Sequence, residues 1–386
     1  MTIAGAYLDF AATSAVRPPE VAEAVRAYLT DIGATPGRGG HSRALRAGRI
    51  VLRCRRALAR MLAFDGDPAR IVFALNATHA LNTALFGLVS PGDVVVRTSY
   101  DHNSVRRPVA ALRERGVEER VVSGRPDGGI DLDEVASLLR QSPRAPRLLT
   151  LPHVSNVTGA SLPVRKMSDL AHEAGALVLL DAAQSAGHLP LDVEALGVDL
   201  LAFTGHKGLL GPQGVGGLWV REGVGVSPLL FGGTGSESGE ATMPAAFPDH
   251  LEAGSQNGPG IAGLLAGVEW LAANGVAEVH SREMARKAEL LALLEPLDGV
   301  EIRSPAAPDG GAIVMITSPN LAPAEMARRL ESEHGIETRA GLHCSPGAHA
   351  ALGTLETGAL RISAGWATSR QEIIRVANAL AMITAN

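Results

Sequence analysis

Five apolar runs, each short enough for a strand, alternate along the chain with longer stretches whose apolar residues recur at helical spacing. The runs are Ile71 to Leu75, Val94 to Ser99, Leu148 to Val154, Leu177 to Asp181 and Leu200 to Thr204, and helical patterns begin near Thr78, Asp131 and Met167. Leu200 to Phe203 is continuous in its hydrophobicity, as a strand buried on both faces is. The alternation predicts an α/β chain with a mainly parallel sheet and helices on both faces. Ligands of such sheets bind beyond the carboxyl ends of the strands, so the residues at those ends carry the functional information.

The fifth run leads into GVDLLAFTGHKGLLGPQGVGGLWV, from Gly197 to Val220, which sets Lys207 at a strand end among glycines. A lysine kept out of water there is a candidate for Schiff-base chemistry, because only the neutral amine is nucleophilic. The other ends carry Asn76, Ala77 and Thr78, then His102, then Asn156, then Asp181 and Gln184, and the fifth adds Thr204 and His206. Free backbone N–H groups and a hydroxyl at the start of the helix near Thr78 suit a phosphate. A lysine, a carboxylate, an aromatic ring and a phosphate cradle are the parts that pyridoxal phosphate requires. Any one of them is also explained by a turn, a helix cap or a satisfied core histidine, and it is their joint position that weighs against those explanations.

With 386 residues, the chain has room for two to three domains of about 150 residues each. The charged share is 19%, the net charge −5 and the aromatic share 3%, which predicts no nucleic-acid partner. The opening MTIAGAYLDF has no basic segment and places Asp9 in its apolar stretch, so no membrane association and a cytoplasmic protein are expected. No metal site is expected either. Arg17 to Glu20 reads as a helix start, with Val21, Val25, Tyr28, Leu29 and Ile32 on one face and Gly33 as the stop. The loop TPGRGGH from Thr35 lifts Arg38 and His41 toward a ligand or a second subunit.

A helix from Ser42 to Phe64 follows, with Ile50, Cys54, Leu58 and Met61 on its apolar stripe and Arg46, Arg49, Arg53, Arg56 and Arg60 on a solvated one. Helices from Pro259 to Asn274 and from Ala277 to Leu294 precede the run Ala312 to Thr317, a helix from Pro323 to Glu333 and a terminal helix from Arg370. We divide the chain into a large domain, residues 16–260, and a smaller α+β domain formed by residues 1–15 and 261–386.

From YLDFAAT at Tyr7 to RISAGWATS ending at Ser369 the sequence resembles the class V aminotransferase superfamily of fold type I pyridoxal phosphate enzymes, most specifically through FTGHKGLLGPQGVGGLWV. Within it the chain resembles the cysteine desulfurases. The resemblance implies that Lys207 binds the cofactor as a Schiff base, that Asp181 pairs with the pyridinium nitrogen, and that Gln184 and Asn156 lie on the ring hydroxyl side. It implies that His102 stacks on the ring and that Ala77, Thr78, Thr204 and His206 hold the phosphate. Ser255, in LEAGSQN, looks like the hydroxyl that reaches the phosphate of a neighbouring subunit, which implies a homodimer.

RAGLHCSP resembles the persulfide motif of the short-loop desulfurases. It puts Cys344 in the role of sulfur acceptor and Arg361 in that of carboxylate clamp, in a segment expected to cross the mouth of the site, with Arg339 and His41 nearby. His343 could favour the Cys344 thiolate. Phe10, where many members have asparagine, and His79, where an acidic residue is frequent, depart from the pattern; at Thr204 and Ser255 one hydroxyl residue replaces another. The reading is an enzyme that takes sulfur from L-cysteine or a related amino acid and passes it to an acceptor protein. Another class V reaction with Cys344 a bystander, or a scaffold without activity, are its alternatives.

Overall fold

The computed structural model describes residues 5–37, 39–141, 144–305 and 309–385; Arg38 lies outside them. A seven-stranded sheet runs in the order Ile71–Ala74, Gly216–Val220, Leu200–Thr204, Leu177–Asp181, Leu148–Pro152, Val94–Thr98, Glu118–Val122. All are parallel except Gly216–Val220, which is antiparallel to both its neighbours. The predicted runs thus form five of the strands.

The other two hide their signal for different reasons. Glu118–Val122 (EERVV) is an edge strand with Glu118 exposed, and charge at an edge is how sheets resist further pairing. Gly216–Val220 opens on two glycines, which read as a turn. Both are needed where they stand, because a Cβ at Gly216 would lie 2.6 Å from the Phe203 carbonyl and one at Gly217 would lie 2.7 Å from that of Val72.

The helix Pro19–Ala27 continues into a π-helical turn, Tyr28–Ile32, before Gly33 stops it at φ +54°. The wider turn shifts the register, so Tyr28 and Ile32 are buried while Leu29, expected on the same face, is 62% exposed. In Ser42–Met61 the expected arginine stripe is solvated throughout. Arg55, outside it, is buried and bonds both oxygens of Glu252, at 2.7 and 2.6 Å.

Helix Gly258–Asn274 lends Ile261, Leu264, Val268 and Leu271 to the core that also holds Leu201 and Phe203. The domain boundary expected at residue 260 falls inside this helix. A second sheet, antiparallel, has the order Arg339–Gly341, Ala359–Ser363, Ile313–Thr317, Glu301–Ile302. Leu290, Met326, Leu330, Val376 and Leu380 pack with its apolar side chains, each fully buried leucine or valine contributing about 1.5 to 3 kcal/mol. Helix Pro323–His334 ends at Gly335 in the left-handed conformation, φ +62°. Gly335 then turns the chain into Ile336–Glu337, which pairs in parallel with Ala6–Tyr7, and Asp9 bridges Ser363. The segment that follows Tyr7 thereby runs from the second sheet to the carboxyl edge of the first.

Among the described residues no single helix is long and apolar enough to cross a membrane. None of them groups three or more His, Cys, Asp or Glu side chains as a metal ion would require.

Candidate active site

The strand Leu200–Thr204 is buried along its whole length and delivers Lys207 through the turn Thr204-Gly205-His206. Glycine on either side lets the turn pack against backbone. A Cβ at Gly205 would come within 2.8 Å of the Val215 carbonyl, and one at Gly208 within 2.5 Å of that of Ala186. The residues after Asp9 close the turn from the other side: Ser14 N–H donates to the His206 carbonyl and Ser14 Oγ to that of Lys207, both at 2.9 Å.

Burial lowers the Lys207 amine to about 8, with Arg361 and Arg339 pushing the same way and the Asp181 carboxylate opposing. Burial also raises Asp181, against the Ala183 N–H at 2.9 Å and the Lys207 charge. Burial thus shifts the two groups toward each other, the lysine down and the carboxyl up, as it does for groups taken out of water.

Around them lies a cavity of about 270 Å³ lined by Ala77, Thr78, His102, Asn156, Asp181, Gln184, Thr204, His206, Lys207, Arg339 and Arg361. Asn76 caps helix Ala77–Leu88 by accepting from His79 N–H, leaving the first-turn N–H groups of Ala77 and Thr78 without intrahelical carbonyls. Thr204 Oγ1 is buried with no protein partner. Two free amides at a helix start and an unpaired hydroxyl make an anion cradle. His206 leans on Thr13 Oγ1 at 3.1 Å, and Gln184 donates to the Ala11 carbonyl at 2.9 Å.

His102 caps helix Asn103–Arg113, its Nδ1 accepting from Ser104 N–H at 3.1 Å and lying 2.8 Å from Ser104 Oγ. Burial, then the charges of Lys207 and Arg339, lower the imidazole to about 4. The ring is therefore neutral at pH 7, with its proton on Nε2.

The Cys344 loop borders this cavity through His343, which lines it. Cys344 is exposed, and Arg339 Nη2 stands 3.9 Å from its Sγ. The loop is docked on the ends of two strands. Asn103 N–H donates to the Cys344 carbonyl at 2.8 Å, Asn156 Nδ2 to that of His343 at 2.7 Å, and Ser345 Oγ to Asn156 Oδ1 at 2.7 Å. His343 does not serve the thiol as the sequence suggested. Its ring nitrogens are taken up by the Arg339 carbonyl at 3.2 Å and His349 at 3.1 Å, and the cation beside sulfur is Arg339.

Arg361 does not lie on a segment across the mouth. It sits in the buried strand Ala359–Ser363, 1% exposed, and donates to the Asn156 carbonyl at 3.0 Å and to Asp9 Oδ1 at 2.7 Å. Its Nε is buried without a partner.

Two predicted residues stand apart from the cavity. His41 is exposed and caps helix Ser42–Met61, while Ser255 is exposed in a separate hollow of about 170 Å³ that His79 also lines. Asp9, Thr13 and Ser14, which hold Arg361 and the Lys207 turn, went unassigned although the motif that begins at Tyr7 pointed to this segment. Phe10 is core: it meets Tyr7 edge-on at 5.1 Å and lies over Gly365, where a Cβ would come within 2.2 Å of its ring.

The chain is 35% identical over 373 residues to a probable cysteine desulfurase of Methanothermobacter thermautotrophicus, covering 95% of this chain and 92% of that one. It is 36% identical over 372 residues to one of Pseudomonas aeruginosa, covering 93% and 88%. Among solved structures, the apo cysteine desulfurase of Thermococcus onnurineus NA1 superposes with a TM-score of 0.90 at 29% identity, covering 98% of this chain and 94% of that one. The family model for aminotransferase class-V matches residues 6–376, and a match over that span, on this sheet and this cavity, means that the chain belongs to the class-V aminotransferase family.

Proposed function

We propose that the protein is a pyridoxal phosphate-dependent cysteine desulfurase that moves sulfur from L-cysteine to Cys344 and releases L-alanine. The observation that carries it is an exposed thiol beside a guanidinium, docked on a cavity lined by a half-buried lysine and a buried carboxyl. The residues present fit the cofactor. Thr204 Oγ1, unpaired and buried, and the amides of Ala77 and Thr78 would take its phosphate, Asp181 its ring nitrogen, His102 its ring face and Lys207 its aldehyde. When bound, pyridoxal phosphate supplies an electron sink for bonds broken next to the amino acid's α-carbon.

The protein's own groups do the rest. Arg361, held by Asp9 and the Asn156 carbonyl, presents a guanidinium to the substrate carboxylate. The Lys207 amine, held at about 8, exchanges a proton with the α-carbon. The Cys344 thiolate attacks the substrate sulfur: the substrate C–S bond breaks, an S–S bond forms on Sγ, and the carbon that loses sulfur gains a proton to become the methyl group of alanine. The step is redox-neutral, and a thiol reductant or an acceptor thiol then removes the sulfur.

A homodimer is part of this reading, with Ser255 and His41, both exposed and neither lining the cavity of their own chain, serving that of a second copy. A monomer in solution with full cofactor occupancy would refute it. The activity is tested by measuring alanine and sulfide from L-cysteine with dithiothreitol present. A protein that takes up no pyridoxal phosphate, or forms no alanine, contradicts the proposal.

A further inference from the structure

His343 and Cys344 both have positive φ, +51° and +59°, and neither is glycine. Two successive side-chain-bearing residues in the left-handed region persist only where their surroundings hold them. Bonds from Asn103 N–H and the Asn156 amide hold the loop's backbone carbonyls, the Ser345 hydroxyl ties its side chain to Asn156, and a fourth restraint acts through the His343 ring.

That restraint is a line of buried groups. His343 Nε2 lies 3.2 Å from the Arg339 carbonyl, His343 Nδ1 lies 3.1 Å from His349 Nε2, and His349 Nδ1 lies 2.8 Å from Thr354 Oγ1. The rings are stacked, 20° from parallel. His343, His349 and Thr354 are 3%, 0% and 3% exposed, so water does not complete the network.

A carbonyl can only accept, so His343 Nε2 carries a proton, and with neutral rings the other donors in the line follow. His343 donates from Nε2, which leaves its Nδ1 to accept from His349 Nε2–H, and the Thr354 hydroxyl fills His349 Nδ1. That direction of donation requires both rings to be neutral. Burial, the larger cause for both, lowers His343 to about 3 and His349 to about 4, which agrees with that requirement.

We propose that His349 is a positioning residue for sulfur transfer. By donating to His343 it holds the Cys344 loop in its left-handed turn, with Sγ beside Arg339, while Thr354 fixes the tautomer that makes the donation possible. The inference rests on the reading of Cys344 as sulfur acceptor.

Three variants of the full chain, reconstituted with pyridoxal phosphate, test it. His349→Leu removes the donor, His349→Gln restores an amide N–H near the Nε2 position, and Thr354→Val removes one hydroxyl at constant shape. Cofactor absorbance, and its change on adding L-cysteine, stay as in the wild type in all three. In His349→Leu the kcat for alanine falls by roughly 10- to 100-fold with little change in KM, the cost of misplacing a reacting group by about an ångström. His349→Gln recovers most of that loss, and Thr354→Val loses less than His349→Leu.

Without substrate, alkylation of Cys344 by iodoacetamide slows by about threefold or more in His349→Leu, because the thiolate loses its guanidinium neighbour. Equal kcat in His349→Leu and wild type, or a loss that glutamine does not relieve, overturns the proposal. If His349→Leu does not fold, Thr354→Val decides alone, and a kcat equal to wild type overturns it. If the wild type forms no alanine from L-cysteine, the sulfur-acceptor reading is what has failed. The alkylation rates still decide whether His349 places the thiol.

Discussion

Lys207 and the Cys344 loop border one cavity and are held there by different means. The lysine turn is fixed chiefly by main chain, with the Thr13 and Ser14 hydroxyls added: Gly205 N–H bonds the Val215 carbonyl, Gly211 N–H that of Gly205, and glycines admit backbone where no side chain fits. Much of the cysteine loop's restraint comes from the polar side chains of Asn156, Ser345, His343 and His349. Burial lowers the lysine's pKa, whereas the cysteine stands exposed. A turn welded into a sheet can fail only with the sheet, whereas a loop held by amides and rings can lose its place while the fold survives.

The comparison is broken or sharpened by four substitutions, the largest effect first. Lys207→Ala abolishes the yellow absorbance of bound cofactor and reduces turnover by orders of magnitude, read by spectrum and by alanine formation. Its counterpart in the native apoprotein is a pH profile. The neutral amine binds the aldehyde, so cofactor uptake rises with pH up to about 8 and levels off there, whereas an ordinary lysine would keep gaining up to 10.5.

Cys344→Ala retains cofactor and the spectral response to L-cysteine, but alanine formation collapses, and mass spectrometry of the wild type finds one added sulfur on the Cys344 peptide. Undiminished alanine formation in that variant would replace the persulfide step with a lyase reaction. Arg361→Lys keeps the spectrum and weakens the apparent affinity for L-cysteine by about tenfold, the value of roughly 1.5 kcal/mol for one lost charged hydrogen bond. An unchanged affinity removes Arg361 from substrate binding.

Cys54→Ala supplies the control thiol. Cys54 is 0% exposed in the large core and burial raises its thiol well above the ordinary value, so the variant loses about 1 kcal/mol of stability in a denaturant titration and no activity.

The lysine turn was legible in sequence because it depends on local features: an apolar run, a hydroxyl and glycines in order. The strand ends around it were legible for the same reason, since a parallel sheet brings its carboxyl ends together whatever the helices do. The edge strand Glu118–Val122 and the inserted strand Gly216–Val220 were not, because charge at an edge and paired glycines imitate loops. The partners of Arg361 and His343 were beyond reach for another reason. Asp9 and Asn156 lie 352 and 205 positions from Arg361, and no local pattern reports a contact made at such a distance. His343 directly precedes the cysteine and so suggested a thiolate partner, yet a positive φ turns its ring away into the protein.

The stretch from Ala6 to Ser14 has a consequence for the order of assembly. It pairs with Ile336–Glu337, bridges Ser363, bonds Arg361 and closes over His206 and Lys207. On the ribosome this stretch emerges before the seven-stranded sheet, and three of its four anchors emerge after that sheet. The seven-stranded sheet can form while the chain is still growing, but the site cannot close until the strand that carries Arg361 has emerged. A nascent chain stalled before Arg361 would therefore carry a folded sheet and an open site, and competence for its substrate is acquired only after the second sheet has been made.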